Sequence, residues 1–135
     1  MNKNNSVGIT AAALPEIVFR KADHERIADL VDIMPGRLSH VSSLLRQELG
    51  RAQVTETPPS DTVQVYSKVS FKLAGLRRTR QVTLVYPHEA AIDEERIPVT
   101  SLLGAALIGL KKGATMSWRN RDGMPQTLTV IDILK

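Results

Sequence analysis

The stretch from Ile97 to Gly109, Ile-Pro-Val-Thr-Ser-Leu-Leu-Gly-Ala-Ala-Leu-Ile-Gly, constrains this chain more than any other. It reads as a short extended lead-in, a cap and a compact apolar helix closed by glycine. Ser101 is placed as an N-cap, whose hydroxyl accepts from an orphan N–H of the first turn. Ala105, Ala106 and Leu107 favour helix, and Gly109 can take the left-handed conformation that ends one. From Leu102 to Ile108 there is no polar side chain. A helix apolar almost all round must be covered on most sides, so the rest of the chain has to supply a sheet that wraps it.

The flanking pattern supplies that sheet. In Lys68-Val69-Ser70-Phe71-Lys72-Leu73 apolar and polar residues alternate, the mark of a strand with one solvated face. Gly75 and Arg77-Arg78-Thr79-Arg80 read as a turn, and Gln81 to Tyr86 pairs back as a hairpin. Pro87 to Arg96 is a polar loop with the acidic run Asp93-Glu94-Glu95. Beyond the central stretch, Thr115 to Trp118 alternates again, Asn120-Arg121-Asp122-Gly123 is a strong turn signal, and Thr127 to Leu134 closes the sheet. The expected core is Phe71, Leu84, Leu103, Leu107, Ile108, Trp118, Val130 and Ile131.

Before residue 55 the periodicity differs. Residues 1–13 are small and polar and read as a loose tail. Glu16-Ile17-Val18-Phe19, after Pro15, reads as an edge strand. Asp23 is placed as an N-cap, followed by Ile27, Leu30, Val31 and Met34 at helical spacing. Pro35-Gly36 breaks the helix. A second stripe follows in Leu38, Val41, Leu44, Leu45, Leu49 and Ala52, so the two runs predict an antiparallel helical hairpin. Arms of about 12 and 16 residues are only ~18–24 Å long. Thr55 to Asp61, with Pro58-Pro59, has the composition of a stiff linker. The expected organisation is therefore α+β: tail, strand and helical hairpin over 1–54, linker over 55–62, and an antiparallel sheet wrapped on one short helix over 63–135.

Composition excludes several functions. No apolar run approaches the ~20 residues of a membrane span, and the N-terminus lacks the build of a signal peptide, so a cytoplasmic protein is expected. With no cysteine there is no disulfide framework, thiol nucleophile or thiolate metal site. His24, His40 and His88 are scattered, and no phosphate-binding loop, nucleophile elbow or metal motif occurs. No cofactor or metal is expected. Asp29 and Asp32 share a helix side at i, i+3 spacing, but the apolar stripe places both on the outward face. The net charge of +4 permits contact with nucleic acid or an acidic partner without demanding it. The basic residues Lys68, Lys72, Arg77, Arg78 and Arg80 are the set most suited to phosphates or an acidic protein surface.

The pattern Ile97-x-Val99-x-Ser101-x-x-Gly104-x-Ala106-Leu107-Ile108-Gly109-x-x-x-Gly113, after a Val82 to Val85 strand and before a strand hairpin, resembles the C-terminal domain of the Gre transcript-cleavage factors. Val85-Tyr86-Pro87, the shortened helical hairpin and the Ile17-Val18-Phe19 strand are most similar to the Rnk branch, the regulators of nucleoside diphosphate kinase. The resemblance spans residues 63–134. It implies an FKBP-like fold for that part and binding to RNA polymerase near its secondary channel, with Ser101, Leu102, Leu103 and Gly104 as contacts and the basic hairpin in support. Family members that stimulate cleavage carry two acidic residues at the tip of a long coiled coil. Here the tip is Met34-Pro35-Gly36-Arg37, without an acid, on arms too short to reach as deep. A second departure is Leu102, where the family usually has proline. The resemblance thus implies a non-enzymatic polymerase-binding regulator that competes with longer channel-binding factors. The alternatives are cleavage stimulation through Asp29 and Asp32, or regulation of nucleotide metabolism. Prolyl isomerase activity would need an aromatic-lined pocket built from Tyr66, Phe71, Tyr86 and Trp118.

Overall fold

The switch from a helical period to a period of two separates the elements along the chain, the two longer helices before it and most of the strands after it. The computed structural model describes residues 14–134; the tail expected over residues 1–13 lies outside them. In chain order the elements are β1 (Val18–Arg20), α1 (Lys21–Asp32), α2 (Ser39–Arg51), β2 (Gln53–Thr55), β3 (Lys68–Leu73), β4 (Thr79–Val85), β5 (Arg96–Pro98), α3 (Leu102–Leu107), β6 (Thr115–Arg119) and β7 (Pro125–Leu134). Short 3₁₀ turns at Gly36–Leu38, Pro87–Glu89 and Ile92–Glu94 fill the connections.

Five strands form one sheet in the order β5-β4-β3-β7-β6, and β1 and β2 form a separate parallel pair. β3 and β4 are the expected hairpin, with Val69 opposite Val82 and Phe71 opposite Arg80. β6 and β7 are the second, with Met116 opposite Leu128. β7 closes against β3, and β5 runs parallel to β4. Alternation does what the pattern required: Val69, Phe71, Val82, Leu84, Leu128 and Val130 are buried on one face, against Ala105, Ala106, Leu107 and Ile108 of the α3 segment. The architecture is α+β, a curled sheet over one short apolar helix.

Three expectations need correction. Ile131 was expected in the core but is 45% exposed. The register shifts there, Ser70 facing Asp132 and Phe71 facing Val130, so Ile131 is the extra residue of a β-bulge and loses its inward place. Leu103 and Trp118 are only half-buried at the margin of the core. Asp23 does not cap a helix, because the chain passes straight from β1 into α1 and the cap position falls to Arg20, which has no capping side chain. The Asp23 carboxylate instead accepts from the Tyr86 hydroxyl and faces Arg20 at 3.6 Å.

The helices share the core of the sheet. Ile27, Val31, Val41 and Leu45 are buried in the same apolar cluster as Phe71 and Leu107. At one end of α2 the His40 imidazole Nε2 meets the Arg119 carbonyl at 2.7 Å. Toward its other end Glu48, fully buried, takes two hydrogen bonds from Arg51 at 2.7 and 2.8 Å. Arg51 also donates to the Pro15 carbonyl. Gln64, buried, ties β1 to the segment before β3: it accepts from the Arg20 N–H at 3.1 Å and donates to the Val18 carbonyl at 2.8 Å.

Candidate partner-docking site

The β5–α3 junction is built from the residues that open its motif. The Ser101 hydroxyl accepts from the Gly104 N–H at 3.0 Å, as an N-cap should, and donates to the Pro98 carbonyl at 2.7 Å. The Ser101 N–H reaches the same carbonyl at 3.1 Å, and the Ser101 carbonyl takes the Ala105 N–H at 2.8 Å. One serine thus closes the turn before the helix and satisfies its first N–H groups. The turn folds so tightly on α3 that a Cβ on Gly104 would lie 2.3 Å from the Pro98 carbonyl oxygen and 2.9 Å from the Val99 Cα. Only glycine fits there. Gly109 ends the segment at φ +84°, and a Cβ on it would meet Ile17 at 2.9 Å and the Phe19 ring at 3.0 Å. Its carbonyl accepts the Val18 N–H at 3.0 Å, so the helix stop is also the seat of β1.

The four expected contact residues are therefore not equivalent. Ser101, Leu102 and Leu103 are half-buried at the start of α3, whereas Gly104 is buried beneath Pro98. Leu102 lines an open groove of about 600 Å³ together with Leu38, Val41, Pro98, Thr100, Ser101 and the turn Asn120 to Asp122. The groove thus joins the start of α2, the capped loop and the β6–β7 turn, three segments far apart in the chain.

The basic set is split. Lys68 and Lys72 alternate with buried Val69 and Phe71, so they stand on the outer face of the sheet, away from α3. Arg80 is opposite Phe71 in register and so belongs to the other face; it pairs with Glu95 at 3.0 Å and its guanidinium lies 5.7 Å from the Phe71 ring centre. Arg77 and Arg78 are exposed on the turn between the strands. The outer face carries hydroxyl pairs, Thr115 with Thr129 at 3.0 Å and Ser117 with Thr127 at 2.9 Å, and an exposed pair of Lys112 with Asp132 at 3.2 Å. The Lys112 ammonium holds the Asp132 carboxyl below its ordinary range.

Asp29 is exposed on α1, and Asp32 faces Arg46 of α2 at 3.5 Å. Among the described residues no three His, Asp or Glu side chains gather as a metal site, and no helix is long and apolar enough to cross a membrane. His24 is half-buried, its Nε2 at 2.9 Å from the Leu49 carbonyl and its ring edge-on to Phe19 at 5.7 Å, so it fastens α1 to the end of α2. Of the four aromatics weighed for an isomerase pocket, Phe71 and Tyr86 are buried, Tyr66 is exposed, and none lines the groove.

One polar cluster escaped sequence reasoning. The Tyr86 ring is buried where β4 ends, its hydroxyl donates to Asp23, and the Arg26 guanidinium lies over it at 3.8 Å. Burial, then the bond to Asp23, pushes the Tyr86 hydroxyl well above the ordinary tyrosine range. Tyr66 stands edge-on to it at 6.2 Å, with a left-handed φ of +78°, and its hydroxyl donates to Glu89 at 2.8 Å. That bond holds the Glu89 carboxyl below its ordinary range. The cluster fixes α1 on the sheet. Its one sequence signal was the Val85-Tyr86-Pro87 run, which shows nothing of a partner 63 residues away.

An α+β chain with a capped apolar helix, a glycine wedged under its lead-in loop and a groove beside that loop defines a recognisable class. Residues 58–135 match the family model described as transcription elongation factor GreA/GreB, C-terminal part. The regulator of nucleoside diphosphate kinase of Escherichia coli K12 is 31% identical over 121 residues, covering 88% of this chain and 89% of the relative. The protein of the same name from Shigella flexneri gives the same figures. Among solved structures, a prokaryotic transcription elongation factor GreA/GreB from Nitrosomonas europaea superimposes with a TM-score of 0.67 at 28% identity, over 90% of this chain and 99% of that one. The chain belongs to the GreA/GreB transcription elongation factor family, and its similarity to the regulators of nucleoside diphosphate kinase extends over both its helical and its strand part.

Proposed function

We propose that this protein is a non-enzymatic regulator that binds RNA polymerase at the mouth of the secondary channel, in the cytoplasm, and competes there with longer channel-binding factors. The observation that carries this reading is the capped loop: Ser101 and Gly104 hold Pro98 to Leu103 rigidly, so that Leu102 meets a partner with little ordering entropy left to lose. In this reading residues 63–135 form the FKBP-like docking part, residues 1–54 a shortened antiparallel arm, and 55–62 the link. The division is one of role, since both parts share a core. Helices of 12 and 13 residues span only about 18–20 Å, and the tip Met34 to Arg37 offers no carboxylate. Asp32 is engaged with Arg46, which supports leaving Asp29 and Asp32 without a catalytic role. The link to nucleoside diphosphate kinase in the relatives' name is then an indirect effect through transcription.

Capture of core RNA polymerase by the tagged protein tests the reading. Wild-type protein binds and is displaced by a full-length Gre factor, and Leu102→Asp binds at least about tenfold more weakly, because a carboxylate cannot be buried against an apolar partner without loss. Absence of wild-type binding, or binding that a Gre factor does not displace, defeats it. Stimulated transcript cleavage by the wild type would instead favour the acids of α1.

A further inference from the structure

The face of the sheet turned away from α3 is polar across its middle. Register lays its side chains in rows: Thr79, Lys72, Thr129 and Thr115 in one, Gln81, Ser70 and Asp132 in the next, then Thr83, Lys68 and Leu134. None of these residues is buried. Besides the two hydroxyl pairs of β6 and β7, the Gln81 side-chain amide donates to the Ser70 hydroxyl at 3.1 Å. The charge left over on this face is positive. Lys68 and Lys72 stand on β3, Arg119 ends β6, and Arg77 and Arg78 sit on the turn that follows β3. All five are exposed, and among the described residues none is in an ion pair. Asp132 is the one acid in the three rows, and Lys112 neutralises it at 3.2 Å.

From this we infer that the outer face of the sheet binds the sugar-phosphate backbone of duplex DNA, without reading its sequence. The inference is independent of the polymerase-binding reading, which uses other residues. Lysine and arginine supply the charge that displaces counterions from phosphates, and hydroxyl and amide groups supply the hydrogen bonds that hold them in place. Lys68 and Lys72 are four residues apart on one strand face, about 14 Å. That matches the roughly 12 Å width of the major groove, so two ammonium groups on flexible stems reach phosphates on both of its sides while the flat sheet stays outside. No aromatic ring stands in the rows, so a single strand would find no stacking platform. The middle of the face also lacks the apolar centre that a protein partner would bury, since Leu134 stands at one corner.

The experiment follows the fluorescence anisotropy of a labelled DNA duplex with the intact protein, from about 50 to about 200 mM salt. Four phosphate contacts, from Lys68, Lys72, Arg77 and Arg78, give a slope of about −3.6 in log K against log salt, a loss of about 150-fold across that range. Lys68→Gln/Lys72→Gln is expected to halve the slope to about −1.8 and to bind at least about tenfold more weakly at the low-salt end. Lys21→Gln/Arg37→Gln removes the same charge from exposed positions on the helical part and is expected to keep the wild-type slope. Thermal melting checks that both variants fold. Equal losses in the two variants would assign binding to net charge and overturn the proposal. So would tighter binding of duplex RNA or of a single strand than of duplex DNA, or no binding by the wild type at low salt. If Lys68→Gln/Lys72→Gln loses core polymerase but binds DNA as wild type does, the face meets an acidic protein surface and the proposal falls. Wild-type binding to polymerase without binding to DNA overturns this inference and leaves the polymerase reading standing.

Discussion

Gly104→Ala is the sharpest test of how the docking loop is built. The added methyl would sit 2.3 Å from the Pro98 oxygen, 2.9 Å from the Val99 Cα and 3.0 Å from the Pro98 carbonyl carbon, all backbone atoms. No side chain can rotate away, so the loop must move outward by about 1 Å to restore an ordinary contact. That movement strains both hydrogen bonds to the Pro98 carbonyl, at 2.7 and 3.1 Å, and with them the Ser101 cap. The two bonds are worth about 1 kcal/mol each, and a lost cap costs about 1 kcal/mol. Alanine recovers about 1 kcal/mol of helix propensity. The expected net loss is about 2 kcal/mol, roughly 7 °C in melting temperature for a chain of this size. Two further glycines calibrate it. Gly113, at φ +90° with open space around it, should lose about 1 kcal/mol on change to alanine, from backbone strain alone. Gly50, near the end of α2 and also unobstructed, should gain up to about 1 kcal/mol. Urea titration followed by circular dichroism gives all three. If Gly104→Ala lies within about 0.5 kcal/mol of wild type, the loop is softer than its hydrogen bonds imply and the argument fails.

Four other substitutions probe what joins the helices to each other and to the sheet. Leu45→Ala should cost about 2–5 kcal/mol, and Trp118 fluorescence and helical ellipticity should shift together; separate transitions would show two independently folding parts. Glu48→Ala should cost about 3 kcal/mol, because it strands the mostly buried Arg51, whereas Asp32→Asn at the exposed pair with Arg46 should cost under about 1 kcal/mol, read from urea midpoints. Tyr86→Phe should cost about 1.5–3 kcal/mol at neutral pH, the value of a hydrogen bond to a carboxylate. Because the folded Tyr86 hydroxyl titrates above the ordinary 10.0, its contribution is full below that pH. It falls as pH rises, by at most about 1.4 kcal/mol per pH unit. The wild type should therefore lose stability more steeply than Tyr86→Phe in melts at alkaline pH; parallel curves would refute the buried, protonated tyrosine.

Features of short range were legible in the amino-acid order. The Ser101 cap, the glycine stop at Gly109, the two strand hairpins and the two amphipathic helices all depend on residues within a few positions of one another. Periodicity and turn chemistry report such relations directly. The resemblance to the Gre factors was legible for the same reason, since its motif is one continuous loop and helix. Partners distant in the chain left no such trace. β2 is three residues long and forms only because Val18 to Arg20 lie beside it. Ile131 obeys the inward alternation of its strand until a bulge, set by pairing with β3, turns it out. Asp23 looks like a cap until Tyr86 claims its carboxylate.

The candidate site divides along the same line. Sequence determined the loop, from the cap at Ser101 to the close packing at Gly104, because a hydroxyl and a missing methyl act on atoms a few bonds away. Only the tertiary structure decided what stands opposite Leu102 and how the basic residues are shared out. The groove is made by Leu38, Val41 and Arg121 converging from separate elements, and the faces of Lys68 and Arg80 follow from strand register. Both are settled by burial of a common core, which places side chains in space without regard to their separation along the chain.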